Sequence, residues 1–297
     1  SRPRAPSAEP GLASTACGFA GTRNRKRFAH LPDEPISPLY GKVALVTGAG
    51  RGIGRASAIA LAEGGADVVV AARTAEQVDE VAEHIRSLGR RAVPVTFDVM
   101  ELDRLGELVD IAVAELGGLD LLVNNAGGSM PKALLETSVR SFERALTFNV
   151  TTAFELTKQA VPAMLERGGG SVVNISSVAG RMPDRGFAAY GTAKAALTHL
   201  TKEMACDLSP RIRVNGIAVG SVATSALEIV LTDDGLRTAM EQGTPLKRLG
   251  QPEDIDANGA KHKTAINCQT CHTGHRPSSK NNIPVCSKCH QAKPHYE

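Results

Sequence analysis

The 297-residue chain contains no tryptophan, and aromatic residues make up only 3% of it. Its core must therefore be aliphatic. No apolar run approaches the ~20 residues that span a bilayer, so no membrane partner is expected. An excess of one charge is lacking too: the net charge is +3, and nothing global points to nucleic acid. What is present suits an α/β fold. Glycine is abundant, at 29, and the apolar fraction of 42% supports a sizeable core in one large domain or two small ones.

Cysteine is scarce in the body of the chain. Cys17 and Cys206 stand alone, whereas Cys268, Cys271, Cys286 and Cys289 crowd the C-terminal end together with His262, His272, His275, His290 and His295. That segment differs in chemistry from everything before it. The opposite end differs as well. Residues 1–38 hold Pro3, Pro6, Pro10, Pro32, Pro35 and Pro38, show no periodicity and carry a basic cluster of Arg23, Arg25, Lys26 and Arg27. They read as a disordered leader. No apolar stretch follows the basic residues, which argues against a secretory signal; an Arg-rich, acid-poor transit peptide is the alternative.

From Gly41 the chain becomes regular. Val43-Ala44-Leu45-Val46 reads as a buried strand, Thr47 to Gly54 as a glycine-rich turn, and Arg55 to Glu63 as a helix. Glycines at Gly48, Gly52 and Gly54 let backbone N–H groups approach a pyrophosphate at the helix N-terminus. Val68 to Ala72 is the second strand, and Thr74 with Gln77 predicts a capping box for the helix that follows. In dinucleotide folds an acid near the end of this strand binds the ribose 2′-hydroxyl, whereas an arginine accommodates a 2′-phosphate. Ala72 fills the acid position and Arg73 follows it; with Arg51 in the glycine turn, this favours NADP over NAD.

The remaining elements alternate. Strands are expected at 92–99, 121–123, 171–176 and 213–218, and helices at 102–116, 138–149, 152–165 and 188–204. The pattern predicts a doubly wound parallel sheet with ligands at the carboxyl ends of its strands. Tyr190 and Lys194 lie one turn apart on the last of these helices. A lysine cation beside a phenol stabilises the phenolate, so the spacing predicts a tyrosine that exchanges a proton well below its ordinary pKa of about 10.

These residues resemble the short-chain dehydrogenase/reductase family across roughly 41–254. Thr47 to Gly54 resembles its cofactor turn and Asn124-Asn125-Ala126-Gly127 its fourth-strand motif. Tyr190 and Lys194 match its Y-x-x-x-K, Ser177 lies thirteen residues before the tyrosine, and Asn149 matches the helix asparagine of the catalytic tetrad. The resemblance implies a hydride exchange between NADP(H) and a small carbonyl or alcohol substrate. Tyr190 would act as general acid/base, Lys194 would lower its pKa and hold the nicotinamide ribose, and Ser177 would hydrogen-bond the substrate oxygen. Asn149 would order a water that joins Lys194 to solvent. It also implies cofactor contacts from Gly48, Arg51, Gly52, Ile53, Gly54, Asn125, Ala126, Gly127 and Thr224, and places Asp98 and Val99 against the adenine. A cytoplasmic location follows from NADPH. Residues 221–250 are expected to form the lid, with Ala226, Leu227, Ile229, Val230 and Leu231 as an apolar pocket wall or a helix packed on the body.

Two departures from the family stand out. Val219-Gly220 replaces the usual Pro-Gly, and after Ile255 the chain turns polar where the last helix and the seventh strand belong. The sixth strand is then expected as an open edge with uncovered apolar surface, and the family's usual homo-oligomer as impaired. Residues 256–297 instead carry two C-x-x-C-H motifs, at Cys268–His272 and Cys286–His290, which resemble a doubled c-type haem unit of multihaem cytochromes. His275, His262 and His295 are candidates for the opposite axial positions. The competing reading is zinc, since C-x2-C-x14-C-x2-C is close to a zinc-ribbon spacing. The join near Ile255 has the character of two unrelated segments spliced together.

Overall fold

A computed structural model describes residues 37–224, 227 and 231–255. Val43–Thr47 (β1) is buried at every position, as a strand in the middle of a two-faced sheet must be. It is followed by helix α1 (Gly52–Glu63), β2 (Asp67–Ala72), α2 (Ala75–Ser87), β3 (Ala92–Thr96), α3 (Gly106–Leu116) and β4 (Leu121–Asn124). The second half continues with α4 (Val139–Leu146), α5 (Thr152–Glu166), β5 (Gly170–Ser177), α6 (Ala188–Leu208), β6 (Ile212–Val219) and α7 (Asp234–Gly243). All strand pairs are parallel, in the order β3-β2-β1-β4-β5-β6. The order reverses between β1 and β4, and a crevice opens there at the carboxyl ends.

The two faces carry separate aliphatic cores. Leu45, Val69, Leu108, Leu122, Leu156, Met164 and Val172 lie on the face of α3, α5 and α6, and Val46, Val68, Leu61, Val78, Ile85 and Ile175 on the face of α1 and α2. No described helix is long and apolar enough to cross a membrane.

Several boundaries differ from the sequence reading, each for a local reason. Ser37 and Leu39 are bonded to the Gly64 carbonyl, so the body takes in residues 37 and 38, which the proline content had placed with the leader. β3 ends at Thr96 rather than Val99, and a separate 3-10 turn at Leu102–Arg104 precedes α3. Thr74 occupies the N-cap of α2 but makes no side-chain cap bond. The capping box is therefore not formed; Gln77 instead packs over Gly50, where a Cβ would come within 3.0 Å of its Oε1. The break expected between two helices at 150–151 is replaced by a π-turn, Thr147–Thr151, that joins α4 to α5. Asn149 causes it. Its Nδ2 donates to the Ala145 carbonyl at 2.8 Å, taking the acceptor that the next turn of an α-helix would use.

β6 closes the described sheet, with a partner on one side only. On the α1 side of the sheet Leu121, Val173 and Ile217 are half-buried and Asn215 is exposed. A final 3-10 turn, Pro252–Ile255, rests on α1, and Ile255 packs against the core there. The expected absence of a seventh strand depends on 256–297, which lie outside the described residues.

The end of the sheet away from the crevice is fastened by two carboxylates. Asp67 takes Arg90 Nη2 at 2.6 Å and Arg91 Nε at 2.8 Å. Asp120, 3% exposed, takes Lys42 Nζ at 2.9 Å, the Val43 N–H at 3.0 Å and Arg167 Nη2 at 2.9 Å, joining β1, β4 and α5. Burial alone raises the Asp120 carboxyl, but these three donors outweigh it and hold the group below its ordinary 3.8. Its contribution to stability is complete above that value and lost as pH falls through the lowered one. Asp120→Asn is expected to cost about 2 kcal/mol at pH 7, read as a lower urea midpoint, and the gap between the two proteins should narrow below pH 4.

Candidate active site

The crevice is built from turns that only glycine permits. Gly48 and Gly52 have φ values of 62° and 55°, in the left-handed region. A Cβ on Gly54 would lie 2.2 Å from the Gly48 carbonyl oxygen, so the turn folds back on itself with backbone against backbone. Arg51 is the N-cap of α1 in extended conformation and makes no side-chain cap bond, which leaves the first amides of the helix open to an anion. Ile53 follows it in the first turn, half-buried.

The fourth-strand motif braces this turn. Asn125 Nδ2 donates to the Thr47 and Gly48 carbonyls at 2.9 and 3.1 Å, while Thr47 Oγ1 accepts the N–H groups of Asn125 and Ala126, both at 3.1 Å. Asn125 had been expected among the cofactor contacts; its side chain is spent on the turn that would make them. Thr224 faces the same turn, with its Cγ2 3.2 Å from where a Gly52 Cβ would stand. Ala72 is half-buried, and Arg51 and Arg73 are exposed. Asp98 accepts the Met100 N–H at 3.0 Å, and Val99 is buried beside it.

The four expected catalytic residues converge at the same ends of β4 and β5. Ser177 ends β5 and hydrogen-bonds Tyr190. The Lys194 amine donates to the Ile175 carbonyl at 2.8 Å and stands 5.8 Å from the centre of the Tyr190 ring. Asn149, 1% exposed, exchanges both its amide groups with the backbone of Gly128, at 2.8 and 3.0 Å. Gly127 explains how they meet: a Cβ there would lie 2.7 Å from Asn149 Oδ1 and 3.1 Å from Lys194 Nζ.

The electrostatics correct one expectation. Burial pushes the Tyr190 hydroxyl up, and the Ser177 hydrogen bond only partly offsets this. Lys194, 4% exposed, is pushed down to about 8 by burial alone. The amine thus does not lower the phenol as the i, i+4 spacing predicted. It is bonded to Ile175, over the tyrosine's ring, and the dry surroundings make it easier to deprotonate.

A second network was missed by sequence reasoning. Asn124 Nδ2 donates to Asn174 Oδ1 at 2.9 Å and Thr157 Oγ1 at 3.0 Å, and Asn174 Nδ2 donates to Thr201 Oγ1 at 2.9 Å. It ties β4 and β5 to α5 and α6 beneath the site. An asparagine between Val173 and Ile175 in a strand was the available signal, because asparagine is disfavoured in strands unless something bonds it.

Of the expected lid residues, Leu227 and Leu231 are half-buried, whereas Ala226, Ile229 and Val230 lie outside the described residues. So do Cys268, Cys271, His272, His275, Cys286, Cys289 and His290, on which the haem and zinc readings rest. Among the described residues no group of three or more His, Cys, Asp or Glu could hold a metal.

Burying the Lys194 amine has a stability cost that should be measurable. The cost is full below about pH 8, where the group is charged in both states, and fades as pH rises towards the unfolded value of 10.5. Lys194→Met should therefore raise stability by about 1–2 kcal/mol at pH 7, after the loss of the Ile175 hydrogen bond, and gain less at pH 10. Urea unfolding at the two pH values checks this.

The chain's relatives share this architecture. The family model for short chain dehydrogenases matches residues 42–234. An uncharacterized oxidoreductase of Mycobacterium tuberculosis is 57% identical over 217 residues, 73% of this chain and 82% of that protein. The 7α-hydroxysteroid dehydrogenase of Escherichia coli K12 is 42% identical over 223 residues, 75% of this chain and 86% of that one. A solved 7α-hydroxysteroid dehydrogenase, complexed with NADH and 7-oxo-glycochenodeoxycholic acid, superposes with a TM-score of 0.71 at 41% identity, covering 74% of this chain and 86% of its own. Fold, glycine turn and family match agree: this chain belongs to the short-chain dehydrogenase family.

Proposed function

We propose that the protein is an NADP(H)-dependent oxidoreductase that interconverts a ketone and a secondary alcohol, with Tyr190 as its general acid/base. The observation that carries this reading is the convergence of Ser177, Tyr190, Lys194 and Asn149 at the strand ends next to the glycine turn. The turn fits a dinucleotide: its glycines allow close backbone approach, and the N-terminus of α1 has no side-chain cap. When bound there, the nicotinamide supplies or accepts the hydride at the substrate carbon.

The chain's own residues handle the proton. Tyr190 Oη transfers it to the substrate oxygen in reduction and takes it back in oxidation. Ser177 Oγ, already bonded to Tyr190, donates to that same oxygen as charge develops on it. Lys194 responds to that charge: with a midpoint near 8 it is mostly an ammonium at neutral pH, and its charge stabilises a negative oxygen that forms beside it. Asn149 holds the π-turn through its side chain, which leaves backbone acceptors there for a water between Lys194 and solvent.

Arg51 and Arg73, both exposed, with Ala72 in place of an acid, support the 2′-phosphate of NADP. The solved relative carries NADH, so the two dinucleotides are the direct comparison. An apolar substrate is supported by the lip of the site. Met130 and Met182 are 74% and 68% exposed on two loops joined by the Lys132 N–H to Gly186 carbonyl bond at 2.9 Å. NADPH points to the cytoplasm as the working compartment.

The test is loss of 340 nm absorbance with NADPH and a panel of apolar ketones, including oxo-steroids. Tyr190→Phe should lower kcat by at least about a hundredfold with cofactor binding retained. Arg73→Glu should raise the KM for NADPH at least tenfold and leave that for NADH within about threefold. A wild-type protein that neither binds NADPH nor turns over any ketone overturns the reading.

A further inference from the structure

Two consecutive serines end β5, and only Ser177 touches the tyrosine hydroxyl. Ser176 points the other way, into the interface with α6, and is 4% exposed. Its Oγ lies 2.9 Å from the Lys194 carbonyl oxygen and 2.7 Å from Thr198 Oγ1, which is itself 2.8 Å from that carbonyl. Two hydroxyls and one carbonyl thus form a closed triangle. Each hydroxyl has one proton, so one donates to the carbonyl and the other to its neighbour.

The residue just before Ser176 holds the other end of the same lysine. The Ile175 carbonyl accepts the Lys194 amine at 2.8 Å. A turn further on, the chain meets α6 backbone to backbone. A Cβ on Gly180 would lie 2.7 Å from the Lys194 carbonyl carbon and the Ala195 nitrogen, and one on Gly191 would lie 2.9 Å from the Ala179 carbonyl oxygen. Tyr190 is one turn from Lys194 on a rigid helix, so whatever sets the position of Lys194 also sets that of Tyr190.

We infer that Ser176 is a positioning residue: with Thr198 it fixes α6 against the end of β5, so that Tyr190 and Lys194 are held at the depth and rotation at which they meet Ser177. The inference rests on the oxidoreductase reading for its catalytic consequence, but not for its geometry. A core serine that only filled space would have no reason to share the backbone carbonyl of Lys194. The helix itself does not need the contact, because that carbonyl keeps Thr198. What the contact adds is the tie between strand and helix.

The consequence lies in the environment of the amine. Facing it are the Tyr190 ring from α6, the Ile175 carbonyl from β5, Asn149 from the π-turn and Gly127 from the loop after β4. Burial is the sole cause of its lowered pKa, so no charged side chain would mask a change in packing. A helix loosened from β5 admits water, and the amine then moves back towards 10.5.

The experiment is pH-dependent competitive acetylation of the full-length protein with acetic anhydride, with the Lys194 peptide followed by mass spectrometry. Ser176→Ala should raise the Lys194 midpoint by about one pH unit from the wild-type value near 8. In turnover it should lower kcat roughly tenfold or more, move the lysine-linked limb of the pH profile upward by the same amount, and leave the KM for NADPH within about twofold. Thr198→Val, which keeps Ser176, should shift the midpoint in the same direction by less, and decides the matter should Ser176→Ala fail to fold. An unchanged midpoint in the folded variants overturns the inference. A wild-type protein without turnover instead overturns the oxidoreductase reading, while the labelling still reports on the positioning.

Discussion

The site depends on an amine kept almost dry. Lys194 is 4% exposed, its nitrogen donates to the Ile175 carbonyl, and burial holds it at about 8. A cation in that position costs stability, and the fold accepts the cost because α6 is pressed onto the end of β5 too closely for water to follow. Gly180 and Gly191 make that approach possible, since a side chain on either would strike the opposing backbone. Gly127 does the same from the other side, leaving room where Asn149 and Lys194 converge. The glycines therefore decide the electrostatics of a lysine that none of them touches through a side chain.

Much of this arrangement was legible in sequence, and the limit is instructive. Spacing along one element survives folding, so Tyr190 and Lys194 could be placed on one helix face and Ser177 and Asn149 recognised as their partners. The parallel sheet followed from alternation of apolar runs with glycine-bounded helices. What could not be read was any property set by contact between distant segments. The Tyr190–Lys194 spacing predicted a lowered phenol; burial, which belongs to the assembled site, raised it instead. Asn125 lay in the right motif, yet its amide is used on carbonyls more than seventy positions earlier. Asn149 stood out by position, but the π-turn that holds it and its bond to Ala145 became visible only in the structure. Ser176 carries no such signal, because spacing holds no information about a carbonyl on another helix.

The partial burial of apolar residues along β5 and β6 bears differently on stability and on chemistry. Residues that shape the site come from the ends of β1, β4 and β5, from the π-turn and from α6. The first three strands stand inside the sheet, with hydrogen-bonded neighbours on both sides. At their opposite ends Asp120 joins β1, β4 and the end of α5, and Asp67 joins β2 to the start of β3. A strand fastened at its base and paired on both flanks has little freedom at its tip, whatever covers the sheet's far edge. Half-buried Val173 and Ile217 weaken the fold through apolar surface left partly in water. They bear on how much of the protein is folded more than on where Tyr190 points once it is. Thr224, beyond β6, is the exception among the site residues: it reaches the glycine turn from a segment anchored by the Ala223 N–H to Gly250 carbonyl bond at 2.7 Å and by the bridge between Val222 and Gly250. Loss of order at that edge would therefore reach the site first through Thr224, beside the glycine turn, and leave Ser177, Tyr190 and Lys194 on β5 and α6 in place.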